Sequence, residues 1–165
     1  VGPKDGPVAV TEDIESVFKQ VMDESLTFVS RGDNSGTHNK ETGIWETLGI
    51  TDYESNENYI SAGAGMSDTI NMADEMEGYC LSDRGTWLSM AADLPNMQIV
   101  CEGDDNLLNQ YGVIAVNPEK YPDVNNEAAN TFIEWICPPE VQTLIGEFGV
   151  EEYGEPLFFP NAEQQ

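Results

Sequence analysis

The pattern of apolar and polar positions divides residues 11–93 into alternating helices and strands. TEDIESVFKQVM (11–22) has apolar residues at helical spacing after a polar start, which predicts an amphipathic helix with Thr11 as its N-cap. The residues expected on its buried face are Ile14, Val17, Phe18 and Val21. Further along, strands are predicted at 26–30, 57–63 and 78–83, and helices at 35–48, 65–77 and 85–93. This alternation is typical of βαβ units around a mainly parallel sheet.

The pattern changes after Pro95. Two apolar runs, MQIVCEG (97–103) and YGVIAVN (111–117), predict strands on either side of a polar turn. A helical pattern then covers 125–148, and Pro138–Pro139 is expected to break it into two helices, because proline is tolerated only in the first turn of the second one. No clear element is predicted for the tail, 151–165.

The charge of the chain limits the classes of partner that it can be expected to bind. It has 31 acidic and 6 basic side chains, for a formal charge of −25. A field of this sign repels nucleic acid and anionic membranes, so neither is an expected partner. The acidic residues are scattered without the spacing of a calcium loop, which favours a solubility adaptation over cation binding. No apolar run approaches the ~20 residues needed to cross a bilayer.

Three cysteines, Cys80, Cys101 and Cys137, lie far apart and each occurs in an apolar run. No CxxC pair is present, so no zinc site is predicted. Buried thiols are the favoured interpretation. A disulfide in an oxidising compartment, with one thiol left over, is the alternative.

The most distinctive loop is TFVSRGDNSGTHNKE (27–41). A predicted strand delivers Ser30 and Arg31 into it, and Ser35, Gly36 and Thr37 open the next helix. The backbone N–H groups of a helix start, the helix dipole and two hydroxyls together form an anion site, to which arginine adds a forked charged donor. The loop therefore predicts anion binding.

A structural interpretation of this loop remains open beside the functional one. In it, Ser35 only caps the helix and Arg31 pairs with Asp33 at the surface. His38, the only histidine, is interpreted as a structural hydrogen-bonding residue.

Two further loops follow predicted strands. SAGAGMSDT (61–69) places glycines after a strand and Ser67 before a helix, which predicts another helix entrance rich in free N–H groups. YCLSDRGTW (79–87) ends its strand with Asp83 and Arg84, which are interpreted as a structural pair. In open α/β sheets, ligands bind beyond the carboxyl ends of the strands, where all three loops are expected to lie. None of them has a nucleophile and base in a catalytic arrangement, so no catalytic residue is predicted.

Five segments in this order and spacing resemble the Tup-type tungstate-binding proteins of ABC transporters. They are FVSRGDNSGTHNKE, SAGAGM, GYCLSDRGTW, CEGDDNLLNQYGVIAVNPEKYPDVN and FIEWI with PEVQTLIGEFG. The resemblance spans nearly all of the chain. It implies the α/β fold of type II periplasmic binding proteins, in which two lobes close on a ligand across two hinge strands.

The resemblance also implies a division of the chain. Residues 1–7 correspond to the first crossing between lobes, 8–105 to the second lobe with its anion loops, 106–117 to the return crossing, and 118–165 to the C-terminal part of the first lobe. The expected fold is thus one full lobe plus part of the other. The N-terminal segment of the family, with its Thr/Ser-rich anion loop, is expected to be missing.

The site implied by the resemblance binds an oxyanion with Arg31 as the charged contact and with neutral donors around it. The residues implicated are Arg31, Ser35, Gly36, Thr37, Ser30, Gly65 and Met66. No cofactor, metal site or catalytic residue is implied. Tungstate is the expected ligand and molybdate the next, since fully ionised dianions only accept hydrogen bonds, whereas phosphate would need an acceptor for its proton, for which Asp33 is the nearby candidate.

The implied role is the extracytoplasmic solute-binding component of an ABC importer, with permease subunits in the membrane as partners. Its expected location is periplasmic or extracellular, with an anchor through the absent N-terminus as an option. Two other classes stay open on the sequence: an α/β enzyme acting on a phosphorylated or other anionic substrate, and an adhesion or sensory domain of the same fold. The sequence does not separate tungstate from molybdate, which have nearly the same size and charge.

Overall fold

A computed structural model describes residues 1–162 of the chain. The chain forms two compact units, Val1–Leu108 and Asn109–Gln165. The strands of the first unit are β1 (Gly2–Pro3), β2 (Phe28–Ser30), β3 (Tyr59–Ser61) and β4 (Met97–Gln98). Its α-helices are α1 (Ile14–Asp23), α2 (Gly36–Thr47), α3 (Met66–Glu75) and α4 (Arg84–Met90). The second unit contains α5 (Asn126–Ile136), α6 (Pro139–Glu147) and α7 (Val150–Tyr153).

The parallel pairing predicted from the βαβ pattern is present between β2 and β3, where Phe28 pairs with Tyr59 and Ser30 with Ser61. The predicted strand at 78–83 contributes only an isolated parallel bridge between Phe28 and Tyr79, so the expectation of a full strand there is wrong. A separate antiparallel pair joins β1 to β4. The parallel sheet is therefore short, and it ends at the loops that follow β2 and β3.

Helix α1 begins two residues later than the sequence predicted. Its N-cap is Asp13, whose Oδ1 accepts a hydrogen bond from Ser16 N at 3.0 Å. Thr11 is not the cap, because its backbone forms a parallel bridge with Cys101 and is thereby held in extended conformation. The Asp104 carboxylate accepts from Ile14 N at 2.8 Å and satisfies another free donor of the first turn. The four predicted apolar residues of this helix are all buried, as expected.

Two apolar clusters form the core of the first unit. In one, Phe18 of α1 packs against Trp45 of α2, with ring centroids 4.4 Å apart, and both contact Phe28 of β2. In the other, Val29 of β2 lies with Ile70 of α3. Residues Phe28 and Val29 thus face opposite clusters, as successive residues of a strand do. The core fixes β2 between α2 and α3, the helices that begin at the anion loops.

The second unit differs from the sequence prediction in two elements. Its helices break at Pro138–Pro139 as expected, but 111–117 forms no strand within the described residues. A strand needs a neighbour for its hydrogen bonds, and none pairs with this segment in the described part of the chain. The short helix α7 overlaps a tail for which no element was predicted. No described residue of 109–162 is fully buried.

The cysteines are free thiols with different surroundings. Cys80 is buried, Cys101 is half-buried and Cys137 is exposed. Burial raises the pKa of the Cys80 thiol to about 11, as expected of a core thiol. The expectation of a core position was wrong for Cys137, which follows the last residue of α5 in the unit without buried residues.

Residues 1–162 contain neither a membrane-spanning helix nor a cluster of metal-ligating side chains. None of the helices there is long and apolar enough to span a membrane. No group of three or more His, Cys, Asp or Glu side chains in that range is arranged to hold a metal ion.

Candidate oxyanion-binding site

The loops after β2 and β3 lie side by side at one edge of the parallel sheet. Beyond the last register pair, Ala62 N donates to Ser30 O at 2.9 Å, and Ala64 N donates to Arg31 O at 3.3 Å. The strand pairing thus continues into the loops. As predicted, the first two anion loops meet at the carboxyl ends of neighbouring strands.

Two glycines allow this close approach. Gly32 has φ +59°, and a Cβ at this position would lie 1.9 Å from Ser61 Oγ. Gly63 opposite has φ +60°. A side chain at either position would be strained by its backbone conformation, and at Gly32 it would also push the two loops apart.

Arg31 is held at the surface of the first loop. Its Nη2 lies 2.6 Å from Asp33 Oδ2, and its side chain is 19% exposed. The Nε of Arg31 is buried and has no hydrogen-bond partner among residues 1–162. A hydrogen bond from Ser35, together with the nearby Arg31 guanidinium, lowers the pKa of Asp33. The ion pair expected in the structural interpretation is therefore present, but it uses only part of the guanidinium fork.

Helix α2 begins where the sequence predicted. Ser35 is the N-cap, and its Oγ accepts from His38 N at 3.3 Å. Gly36 and Thr37 are the first residues of the helix, so their N–H groups have no partner within it. The His38 ring has a structural role, since its Nδ1 accepts from Asn34 N at 2.9 Å.

Helix α3 provides a second N-terminus next to the same loops. It starts at Met66, one residue before the predicted Ser67, and its N-cap is Gly65, which has no side chain to cap it. Thr69 turns both its N–H and its hydroxyl to Gly65 O, at 3.0 and 2.9 Å. The N–H groups of the first turn remain available. The Met66 side chain is buried, so its contribution to a ligand would come from the backbone.

In the third loop, Arg84 forms an ion pair with Glu102. Asp83 caps α4, accepting from Thr86 N and from Thr86 Oγ1, both at 2.8 Å. The cap geometry commits the Asp83 carboxylate to its own helix.

Ser30 lies beneath the loop and not on it. It is fully buried, and its Oγ accepts from Gly32 N at 3.2 Å. Of the predicted site residues, six lie at the two helix N-termini or on the loop between β2 and α2, and Ser30 supports that loop from below. Glu41, a buried carboxyl on α2, was not among the predicted site residues. The signal was available, because Glu41 precedes Ile44 and Trp45 by three and four residues and so shares their buried face.

The site as a whole offers hydrogen-bond donors to a ligand. Two helix N-termini, the Ser35 and Thr37 side chains and the remaining Arg31 donors follow the loops at this edge of the sheet, and Asp33 is the acidic exception. Such an arrangement suits an anion that only accepts hydrogen bonds.

The family to which the chain belongs is recognised over most of its length. The sequence profile of the PBP superfamily domain matches residues 1–140. The chain is therefore a member of this superfamily, in agreement with the α/β fold and the resemblance derived from the sequence.

Three of the proteins similar to this chain have names that refer to tungstate. The chain is 50% identical to the tungstate-binding protein TupA of Peptoclostridium acidaminophilum, over 98% of this chain and 57% of the relative. The solved structure of the tungstate-binding protein TupA from Desulfovibrio alaskensis matches with a TM-score of 0.85 and 38% identity, over 98% of this chain and 66% of that one. The tungstate ABC transporter structure from Geobacter sulfurreducens matches with a TM-score of 0.75 and 35% identity, over 90% of this chain and 62% of that one. The chain thus spans less than two thirds of each of these relatives.

Proposed function

We propose that this chain is a ligand-capturing part of an extracytoplasmic solute-binding protein that delivers an oxyanion to an ABC importer. Tungstate is the first candidate for this anion and molybdate the second. The observation that carries the proposal is the buried Arg31 Nε without a partner among residues 1–162, beside two helix N-termini with free N–H groups. The names of the relatives support the choice of tungstate.

The chemistry of the donors supports a fully ionised dianion. The proposed ligand contacts are the Arg31 guanidinium, the N–H groups of Gly36, Thr37, Gly65 and Met66, and the hydroxyls of Ser35 and Thr37. Ser30 is proposed to act through the loop, since it is fully buried. Asp33 would be the acceptor for a protonated anion such as hydrogen phosphate, but its carboxylate already accepts from Arg31 and Ser35.

The proposed organisation follows the family: 1–7 and 106–117 as the crossings between lobes, 8–105 as one lobe, and 118–165 as part of the other. The lack of buried residues in 109–162 supports the last assignment, because a lobe needs a covered apolar core and this segment does not form one alone. In this proposal a further segment of the complete protein covers these helices and completes the ligand shell.

The remaining features of the role follow from the same proposal. The partners are the permease subunits of the importer, and the location is outside the cytoplasmic membrane. We propose no catalytic activity. An enzyme acting on an anionic substrate would need a base beside the anion, and the one histidine of the chain already accepts a hydrogen bond from Asn34 N.

Titration calorimetry of the complete protein with tungstate, molybdate, sulfate and phosphate tests the proposal. We expect tungstate and molybdate to bind at least about a hundredfold more tightly than phosphate, about 2.7 kcal/mol in binding free energy. Equal or tighter binding of phosphate would contradict it. An Arg31→Ala variant is the internal control, since binding that survives this change uses another site.

A further inference from the structure

A buried carboxyl lies under the proposed anion site and has no role in it so far. Glu41 of α2 is 1% exposed. Its Oε1 accepts from Tyr59 Oη at 2.7 Å and from Trp45 Nε1 at 3.3 Å. The Ser30 hydroxyl lies close enough to this carboxyl to favour its charged form. Glu41 thus joins α2 to the last residue of β2, Ser30, and to the first residue of β3, Tyr59.

Ser30 connects the surroundings of Glu41 to the two loops. Ser30 Oγ accepts from Gly32 N at 3.2 Å, and Ser30 O accepts from Ala62 N at 2.9 Å. One hydroxyl therefore separates the buried carboxyl from the backbone that presents Arg31. A change in the charge or hydrogen bonding of Glu41 acts directly on the residues that shape the loop.

Several influences act on the proton affinity of this carboxyl, and their net effect is a raised pKa. Burial raises the pKa of Glu41, while hydrogen bonds from Ser30, Tyr59 and Trp45 and the nearby His38 act in the opposite direction. The titratable groups that act on it electrostatically are His38 on its own helix, Tyr59 on β3, Tyr53 on the turn before β3, and Cys80 beside β2. His38 Nδ1 accepts a hydrogen bond from Asn34 N at 2.9 Å.

We propose that Glu41 is a positioning residue that takes up a proton when a dianion binds to the loop, so that anion capture becomes tighter as the pH falls. The inference rests on the proposed function. A second negative charge nearby favours the neutral carboxyl, and linkage makes the effect reciprocal: the protonated form binds the anion better. The proton comes from solvent and is held on the Glu41 carboxyl, which keeps its hydrogen bonds to β2 and β3.

Calorimetry of the complete protein with tungstate, in two buffers of different ionisation enthalpy, measures the protons taken up on binding. We compare the wild type with Glu41→Gln and with Glu46→Gln, an exposed acid on the same helix. Wild type and Glu46→Gln should take up a fraction of a proton, and tungstate should bind at least about threefold more tightly when the pH is lowered from 8 to 6.5. Glu41→Gln should take up none, and its tungstate affinity should not change with pH, because residue 41 no longer titrates. Any protonation of tungstate itself is common to all three proteins and cancels in the comparison.

Proton uptake that persists in Glu41→Gln, or that is absent from the wild type, overturns the inference. If the wild-type protein does not bind tungstate at all, the proposed function is overturned, and the inference about Glu41 with it. Should Glu41→Gln fail to fold, Tyr59→Phe provides the second test: it removes the 2.7 Å donor to Glu41, so the pH range of proton uptake should move upward. An unchanged range in Tyr59→Phe also counts against the inference.

Discussion

Arg31 Nη2 and Asp33 Oδ2 are 2.6 Å apart, so the charged donor of the anion loop is paired with an acid two residues further along the chain. The two sequence interpretations of this loop are therefore compatible. The ion pair orients the guanidinium, and its Nε remains without a partner in the described residues. An incoming anion would add to this pair and also compete with it.

Arg31→Ala, made in the complete protein, should weaken tungstate binding by about 2 kcal/mol or more, because a charge-assisted hydrogen bond is lost. Arg31→Lys should recover only part of the affinity, since an ammonium does not reproduce the fork. Calorimetry measures both. Unchanged affinity of the alanine variant would remove Arg31 from the site.

Asp33→Asn should have the opposite effect. The variant keeps an oxygen that can accept from Ser35 N, as Asp33 Oδ1 does at 3.1 Å, but it removes the negative charge beside Arg31. We expect tungstate to bind several-fold more tightly, and the difference to shrink at high salt. The matched control is Asp52→Asn, which removes the same charge from an exposed position after the end of α2. Weaker binding in Asp33→Asn alone would mean that the ion pair is needed to orient Arg31.

Thr37→Val separates ligand binding from helix capping. The structure assigns the cap of α2 to Ser35, so the Thr37 hydroxyl should matter only for the ligand. The variant should lose about 1 kcal/mol of binding free energy with little change in melting temperature. Ser35→Ala should lower stability as well, by about 1 kcal/mol. A fall in stability without a fall in affinity in Thr37→Val would contradict its role as a ligand.

The sequence predicted the elements whose pattern is local. The signals that start and stop helix α2, Ser35 and Gly49, lie at its own two ends. The structure caps the helix at Ser35 and ends it just before Gly49, which has φ +70°. The start of α1 was missed because tertiary contacts decide it: the bridge from Thr11 to Cys101 makes Asp13 the cap. The prediction of a strand at 111–117 was wrong for a related reason, since strand formation depends on a partner strand that the local pattern does not reveal.

The candidate site was predictable to the extent that it depends on loop chemistry. Arg31 and the start of α2 could be identified because a strand, a glycine loop and a helix cap are contiguous in the sequence. Burial could not be identified in the same way: Ser30 was predicted among the ligand-binding residues and is fully buried. The partner of Arg84 was also unpredictable, because Glu102 is distant in sequence.

Acid should weaken the anchoring of α1 through Asp104. Hydrogen bonds from the backbone of Ile14 and Asn106 lower the pKa of Asp104 below its usual value of 3.8. A carboxyl whose pKa is lowered by folding stabilises the protein above its unfolded pKa, and this contribution is lost as the pH falls through the folded one. Asp104→Asn should therefore lower the melting temperature at pH 7 but not near pH 2. The exposed neighbour Asp105→Asn is the control, and an equal effect at both pH values would exclude the charge as the cause.

The helices of 109–162 should make the 165-residue chain associate when it is expressed alone. Phe132, Trp135 and Leu144 are 47%, 56% and 63% exposed, and no described residue of this unit is buried. Apolar surface of this kind is normally covered by another part of the protein or by a second molecule. Sedimentation should therefore detect oligomers, and they should diminish in a Phe132→Ser/Trp135→Ser double variant. If these helices belong to the other lobe, the isolated chain has only part of the ligand shell. It should then bind tungstate far more weakly than the complete protein, since water partly screens the Arg31 charge while the charge of −25 still repels the anion. A clean monomer with the affinity of the complete protein would mean that the division into lobes is wrong.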